Sequence, residues 1–238
     1  MTASIYTLFV LGALASCALT PLVRYFAHRH GFLDCPKRAR KVHEGEIPRL
    51  GGAAVLGAFI FTLIIGGFLV EDLAIALWGE SGVGGIVLFG AIAFFIIGFL
   101  DDLSRLSAKT RLLSEFAIAA AVVWLGGLWF DEVRFLGVGN LPMSEGLGFA
   151  LACLWIVGMA NAVNLIDGLD GLAAGVTLFG LAAVATVGFL ADVPTVTWMS
   201  TLLLGCILGF LVFNSRPASI FLGDCGSLTL GYLAGCLS

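Results

Sequence analysis

The chain has 238 residues, 60% of them hydrophobic and 12% charged, with a formal net charge of −4 and a mean hydropathy of +1.06. A soluble domain is roughly 45–50% apolar and about 25% charged, so this much apolar surface excludes a water-soluble globule. The mild acidity, with most basic residues gathered in one segment, leaves no nucleic-acid footprint.

A bilayer-crossing helix takes about 20 mostly apolar residues. In chain order the stretches 4–26, 51–70, 83–100, 111–130, 147–163, 172–190 and 195–213 qualify, and an eighth starts near Ser227 and stops at Ser238, too short to span. The expectation is an all-α fold: a polytopic transmembrane helix bundle of seven complete spans plus the start of an eighth, in a single integral-membrane domain over 1–238. The first span lacks a basic n-region and a small-residue cleavage site, so it reads as a span and not as a signal peptide. With the N-terminus outside, the loops after spans 1, 3, 5 and 7 hold eleven of the twelve Lys and Arg, all but Arg134. The positive-inside rule then places those loops in the cytoplasm. Trp78, Trp129 and Trp198 fall near outer span ends, as an interfacial aromatic belt requires. The pairs Gly205…Gly209 and Gly231…Gly235 read as close helix packing. The six cysteines lack zinc spacing and read as reduced thiols, with Cys35 and Cys225 in cytoplasmic loops.

The outer acids are scattered, and a solvated-loop reading is enough for them. The inner acids form a pattern. Asp101 and Asp102 close span 3; Asp167 and Asp170 lie in Asn161-Ala-Val-Asn-Leu-Ile-Asp-Gly-Leu-Asp-Gly-Leu172 between spans 5 and 6; Asp224 follows span 7 in Phe221-Leu-Gly-Asp-Cys-Gly226. These are three loops on one membrane face, each with carboxylates next to hydrocarbon, where ionised groups are costly and mark a site. Simple helix-end charge explains any one loop but not all three. Five aspartates on one face repel each other and call for a cation. Magnesium prefers hard oxygens, keeps several waters and is shared with substrate phosphates; manganese is the alternative. No His or Cys cluster offers a softer site. Flanking glycines (Gly168, Gly171, Gly223, Gly226) permit close backbone approach to a phosphate, or simply a turn. The segment Arg38–Gly52 is basic, as anionic lipid head groups or a diphosphate substrate would both favour, and Lys109 and Arg111 follow the Asp101-Asp102 pair closely.

Four blocks resemble the polyprenyl-phosphate N-acetylhexosamine-1-phosphate transferases (glycosyltransferase family 4), in the family's order. They are Arg40-Lys-x-His43…Pro48-Arg-x-Gly-Gly52, the Asp101-Asp102 pair, Asn164-x-x-Asp-Gly-x-Asp-Gly-Leu172, and Asn214…Pro217-Ala…Phe221-x-Gly-Asp224-x-Gly226. The Pro-Arg-x-Gly-Gly form is closest to the bacterial undecaprenyl-phosphate N-acetylglucosamine-1-phosphate transferases that start O-antigen, enterobacterial common antigen or wall teichoic acid. The resemblance implies transfer of N-acetylglucosamine 1-phosphate from a UDP-sugar to undecaprenyl phosphate, at the cytoplasmic side of the bacterial inner membrane. It gives Asp224 as a magnesium ligand and Asp101, Asp102 and Asp167 as catalytic residues. Lys41, His43, Arg49, Lys109, Asn164, Asp170, Asn214 and Phe221 would bind substrate, with Phe221 stacking on uracil. A homodimer is left open. The family carries further spans and a late loop with a His-x-His motif that this sequence lacks, so the chain reads as C-terminally truncated. The alternatives are phospho-N-acetylmuramoyl-pentapeptide transferase-like activity, or an inactive nucleotide- or lipid-binding membrane protein. A transporter would place its acids near mid-span, whereas here only Glu115 sits inside a span. Prenyl synthases need an Asp where Arg105 stands, and CDP-alcohol phosphotransferases need an Ala-Arg that Gly171-Leu-Ala-Ala-Gly175 does not supply.

Overall fold

In lipid every backbone polar group must be satisfied internally, and the apolar runs fold accordingly as helices. The computed structural model describes residues 2–34, 47–79, 82–135 and 139–238. Nine helices form among them: α1 (Thr2–His30), α2 (Gly51–Leu69), α3 (Glu71–Trp78), α4 (Val83–Ser104), α5 (Ala108–Gly126), α6 (Glu145–Ile166), α7 (Leu172–Leu190), α8 (Pro194–Asn214) and α9 (Gly223–Leu237). Two short antiparallel ladders accompany them. Strands β1 (Leu33–Asp34) and β2 (Ile47–Pro48) pair Leu33 with Pro48, and β3 (Glu132–Phe135) and β4 (Gly139–Pro142) pair Glu132 with Pro142.

Six helices, α1, α2, α4, α6, α7 and α8, are long and apolar enough to cross a membrane. At about 1.5 Å rise per residue, helices of this length match a hydrocarbon layer of about 30 Å. The predicted fourth span, 111–130, lies on α5 instead, and α5 is not one of the six. Lys109, Arg111 and Glu115 in its first two turns lower its apolar character. It starts at Ser107, whose hydroxyl accepts the Thr110 N–H at 3.1 Å, a standard N-cap, and it stops at Gly127 with φ +63°. Large apolar side chains cover the outside of the bundle: Phe68, Leu165, Phe179 and Phe89 are 74–86% exposed. A surface of this kind suits lipid and not water.

The element expected as the start of an eighth span is the centre of the bundle. Thirteen of the fifteen residues of α9 are buried. The helix packs chiefly on α4 and α6, and also on α2. Glycines allow the approach. A Cβ on Gly231 would meet the Met159 carbonyl oxygen at 2.5 Å, and one on Gly235 the Ile156 Cα at 3.1 Å, both on α6. Against α4, the Tyr232 ring stacks on Phe94 at 4.5 Å and its hydroxyl donates to the Val87 carbonyl at 3.0 Å. Gly90 leaves the room that the Tyr232 hydroxyl occupies. The second glycine pair works the same way between α1 and α8: a Cβ on Gly205 or Gly209 would strike the carbonyl of Phe9 or Ala13. Both small-residue pairs are therefore close helix packing.

Two expectations change. Cys225 lies not in a loop but in the first turn of α9, fully buried, because α9 begins four residues ahead of Ser227. Trp198 is 1% exposed, so it is a core side chain of α8 and not part of an interfacial belt. Trp129 is half-buried against the main core, and the Trp78 side chain lies outside the described set.

Because the obstacle at Gly209 is backbone, which yields less than a side chain, a Gly209→Val substitution should destabilise the fold by about 1–3 kcal/mol or more. Its thermal unfolding in detergent should fall below that of wild type. Gly180→Ala, at an exposed position with open space around it, should leave the transition within about a degree. Equal unfolding of the two variants would contradict the α1–α8 packing.

Candidate functional site

The site forms where the first turn of α9 meets the last turn of α4. A helix start leaves backbone N–H groups without intrahelical partners. In α9 the N-cap residue Leu222 offers no side-chain cap, and the cap comes from another helix. The Asp102 carboxylate accepts the N–H of Asp224 at 3.1 Å through Oδ1 and that of Cys225 at 3.0 Å through Oδ2. An anion there also meets the positive end of the helix dipole. The approach needs glycines. Gly98, one turn before Asp102, lies against the Asp224 carbonyl. Gly223 takes φ +76°, and a Cβ on it would come within 2.8 Å of the Arg49 carbonyl and 3.0 Å of Asp102 Oδ2.

Asp224 then projects from the first turn of α9. Its Oδ1 accepts from Asn164 Nδ2 at 3.1 Å, and the same amide donates to the Ser227 hydroxyl at 2.9 Å. Arg49 Nη2 stands 3.8 Å from Asp102 Oδ1 and 3.9 Å from Asp224 Oδ1, with the Arg49 side chain 41% exposed. Asp167, the C-cap of α6, lies within electrostatic reach of Arg49, Asp224 and Asp102. Two carboxylates from separate segments thus flank one guanidinium at one end of the bundle, with a third, Asp167, within electrostatic reach.

The segment 48–52 is sewn to the 221–222 backbone. Phe221 N–H donates to the Pro48 carbonyl at 2.7 Å, and Gly51 and Gly52 donate to the Phe221 and Leu222 carbonyls at 2.8 Å. A Cβ on Gly52 would collide with Gly226. The 215–222 loop is fixed from two other sides. Asp170 Oδ2 accepts the Ala218 N–H at 3.0 Å, and the buried Asn214 donates from Nδ2 to the Ile220 carbonyl at 2.9 Å. Phe221 is half-buried beside the cluster.

Residues 85–238 match the profile of Glycosyl transferase family 4. The chain is 38% identical, over 97% of its length, to a probable undecaprenyl-phosphate N-acetylglucosaminyl 1-phosphate transferase of Bacillus subtilis, of which it covers 61%. It is 36% identical, over 80% of its length, to a phospho-N-acetylmuramoyl-pentapeptide-transferase of Staphylococcus haemolyticus, covering 61% of it. To a decaprenyl-phosphate N-acetylglucosaminephosphotransferase of Mycobacterium tuberculosis it is 33% identical across the whole chain, covering 58% of that protein. The chain belongs to glycosyl transferase family 4. It spans about three-fifths of the length of the curated relatives it matches. With its six apolar helices, this family 4 chain is a multi-pass membrane protein.

Of the positions singled out in the sequence, Asp102, Asp167, Asp224, Arg49 and Asn164 come together in this family 4 chain. Asp170 and Asn214 hold the adjoining loop. Lys109 is exposed in the first turn of α5. Asp101 is engaged elsewhere: Oδ1 accepts the Leu106 N–H at 2.7 Å and Oδ2 accepts from Arg111 Nη1 at 2.8 Å. Lys41 and His43 lie outside the described residues. Ser227 was not anticipated. It stands one turn after Asp224, and that i, i+3 spacing is the signal that could have found it. Among the described residues, no three His, Cys, Asp or Glu side chains close on one point to hold a metal ion by themselves.

Burial pushes the Asp167 carboxyl up to about 7 from its usual 3.8; Arg49 opposes the rise, and Asp224 and Asp102 add to it. Between those two values the folded state holds a proton that the unfolded chain has released. Stability from this group therefore declines as pH rises from about 4 to about 7 and is level above that. Unfolding followed in EDTA should show this decline, and Asp167→Asn should flatten the profile and match or exceed wild type at pH 8. A variant that keeps the wild-type slope would assign the decline to another group.

Proposed function

We propose that this chain transfers N-acetylglucosamine 1-phosphate from UDP-N-acetylglucosamine to undecaprenyl phosphate, giving undecaprenyl-diphosphate-N-acetylglucosamine and UMP. The observation that carries the reading is the convergence of Asp102, Asp167 and Asp224 around Arg49 at the start of α9. The sugar preference is supported by the Pro48-Arg-Leu-Gly-Gly52 segment, which brings Arg49 into the cluster, and by the names of the relatives from Bacillus and Mycobacterium.

The donor set fits magnesium: hard carboxylate oxygens, too few to enclose an ion, with room for waters and phosphate oxygens. Asp224, with Asp167 beside it, would hold the ion. Bound there, it would offset charge on the diphosphate as the leaving group departs. The protein's own part is binding and orientation. Arg49 reaches an entering phosphate, Asn164 fixes the Asp224 carboxylate, and Phe221 offers a half-buried ring for the uracil. A phosphate monoester has a second pKa near 6, so the lipid phosphate arrives mostly dianionic and needs no strong base. Its oxygen attacks the β-phosphorus of the UDP-sugar, the bond to the UMP oxygen breaks, and UMP leaves. Positioning and charge compensation dominate. The two Asp102 oxygens, already accepting the α9 N–H groups, are suited to holding the site in place.

The same reading places the N-terminus outside, counts α5 as a further span for seven complete spans, and puts the site at the cytoplasmic face of the bacterial inner membrane. The distribution of Lys and Arg supports that orientation. The product would initiate a cell-envelope polysaccharide.

The protein in detergent with UDP-N-acetylglucosamine, undecaprenyl phosphate and Mg²⁺ should release UMP. Release should require both lipid and metal and should fall at least about a hundredfold in Asp224→Asn. Undiminished release by that variant would remove Asp224 from the site. UMP formed without lipid would replace direct displacement by a phospho-aspartyl intermediate. Release from UDP-N-acetylmuramoyl-pentapeptide alone would reassign the sugar.

A further inference from the structure

Behind the site lies a set of buried and half-buried polar side chains that the proposed reaction does not use. Arg111 donates from Nη1 to Asp101 at 2.8 Å, and its Nε faces Glu115 Oε1 at an ion-pair distance of 3.5 Å. Glu115 is fully buried. Its other oxygen accepts from Asn161 Nδ2 on α6, and that amide also donates to the Val157 carbonyl at 2.9 Å. Asn161 stands one turn ahead of Asn164, so the two share a face of α6. Asn164 in turn gives its amide hydrogens to Asp224 and Ser227. The Asp224 N–H goes to Asp102, the chain neighbour of Asp101. The contacts run from α4 to α5, to α6, to α9 and back to α4, closing a circuit.

Such a circuit is a poor stabilising device. Buried ion pairs barely repay their desolvation, and well-packed apolar side chains serve as well or better. A fully buried Glu115 cannot touch a substrate. Its chemistry is nevertheless specific, because its two oxygens face different groups: Oε1 is ion-paired with Arg111 Nε without a hydrogen bond, and Oε2 accepts from Asn161 Nδ2. Only a carboxylate presents an acceptor to both; an isosteric amide turns a donor on one of them. Asn161 and Asn164 each spend both amide hydrogens, which leaves neither amide free to turn.

We propose that Glu115 and Asn161 are positioning residues: they fix Arg111 on Asp101 and set α6 against α5, so that Asn164 holds the Asp224 carboxylate in its working orientation. What that orientation serves rests on the proposed transferase reading; the circuit itself does not.

Four proteins test this: wild type, Glu115→Gln, Asn161→Asp, and the double variant. The double variant restores the contact between positions 115 and 161, since the amide introduced at 115 can turn its oxygen to Arg111 while its nitrogen donates to the carboxylate introduced at 161; the Val157 carbonyl loses its side-chain donor in both variants changed at 161. Glu115→Gln should lower kcat for UMP release about tenfold or more with KM for UDP-N-acetylglucosamine within about threefold. Asn161→Asp, which opposes two carboxylates, should be worse. The double variant should recover kcat to within about threefold of wild type. Wild-type kcat in Glu115→Gln overturns the proposal. So does a double variant whose thermal unfolding recovers while its kcat does not, because the circuit would then be structural only. If wild type itself releases no UMP, the transferase reading fails, and thermal unfolding of the same four proteins decides the circuit. A double variant more stable than either single variant supports it, and strictly additive losses overturn it.

Discussion

The hydrogen bonds from the first turn of α9 to the Asp102 carboxylate are the constraint on which the rest of the site depends. They satisfy two N–H groups that would otherwise be buried without partners, at a helix that supplies no cap of its own. An unpaired buried N–H costs about 1–3 kcal/mol, so the end of α4 and the start of α9 are held in register with each other. That register places Asp224 beside Asn164 and Arg49. It also explains why Gly98 and Gly223 sit where they do: a Cβ on Gly98 would strike the Asp224 carbonyl, and one on Gly223 would crowd the Arg49 carbonyl and Asp102.

Because α9 is fixed at its start and buried along its length, the loops around its start inherit its position. The Pro48–Gly52 segment follows through three backbone hydrogen bonds to Phe221 and Leu222. The turn between α6 and α7 follows through Asp170 and Ala218. Three remote stretches of sequence thereby become one surface. None of these links is strong alone, but each uses backbone groups with few alternatives once water is excluded.

Much of this was legible in the sequence. Hydropathy located every helix but the short α3 to within about four residues, and carboxylates at three loop positions pointed to one cluster, because charge beside hydrocarbon is costly enough to need a reason. Besides Cys225, Ser227 and α3, three features escaped. Helix α5 turns Arg111 and Glu115 inward while Lys109 stays exposed, and composition alone does not tell an inward charge from a solvated one. Trp198 reads like an interfacial anchor, yet its burial is set by which face of α8 meets its neighbours. The division of labour between Asp101 and Asp102 could not be read, although the reason for it could. Adjacent helical residues point about 100° apart, so one meets α5 and the other meets α9, and only the packing decides which.

That division separates structural charge from exposed charge. Asp101 and Glu115 share Arg111 within the bundle, which supplies one counter-charge for the two. At the start of α9, among the described residues, Asp102 and Asp224 have Arg49 at ion-pair distance and Asp167 lies within its electrostatic reach. One guanidinium does not balance three carboxylates, and the high proton affinity of Asp167, raised first by burial, registers that deficit as well. A diphosphate would meet repulsion there unless further positive charge arrived with it. On the proposed reading, a divalent cation carried in with the phosphates would supply such charge, and the same carboxylates that disfavour the bare anion would favour the ion–anion pair. On the proposed reading, the negative charge of Asp167 and Asp224, beyond what the fold needs for its own packing, is what would make the cluster a site rather than a helix-end decoration.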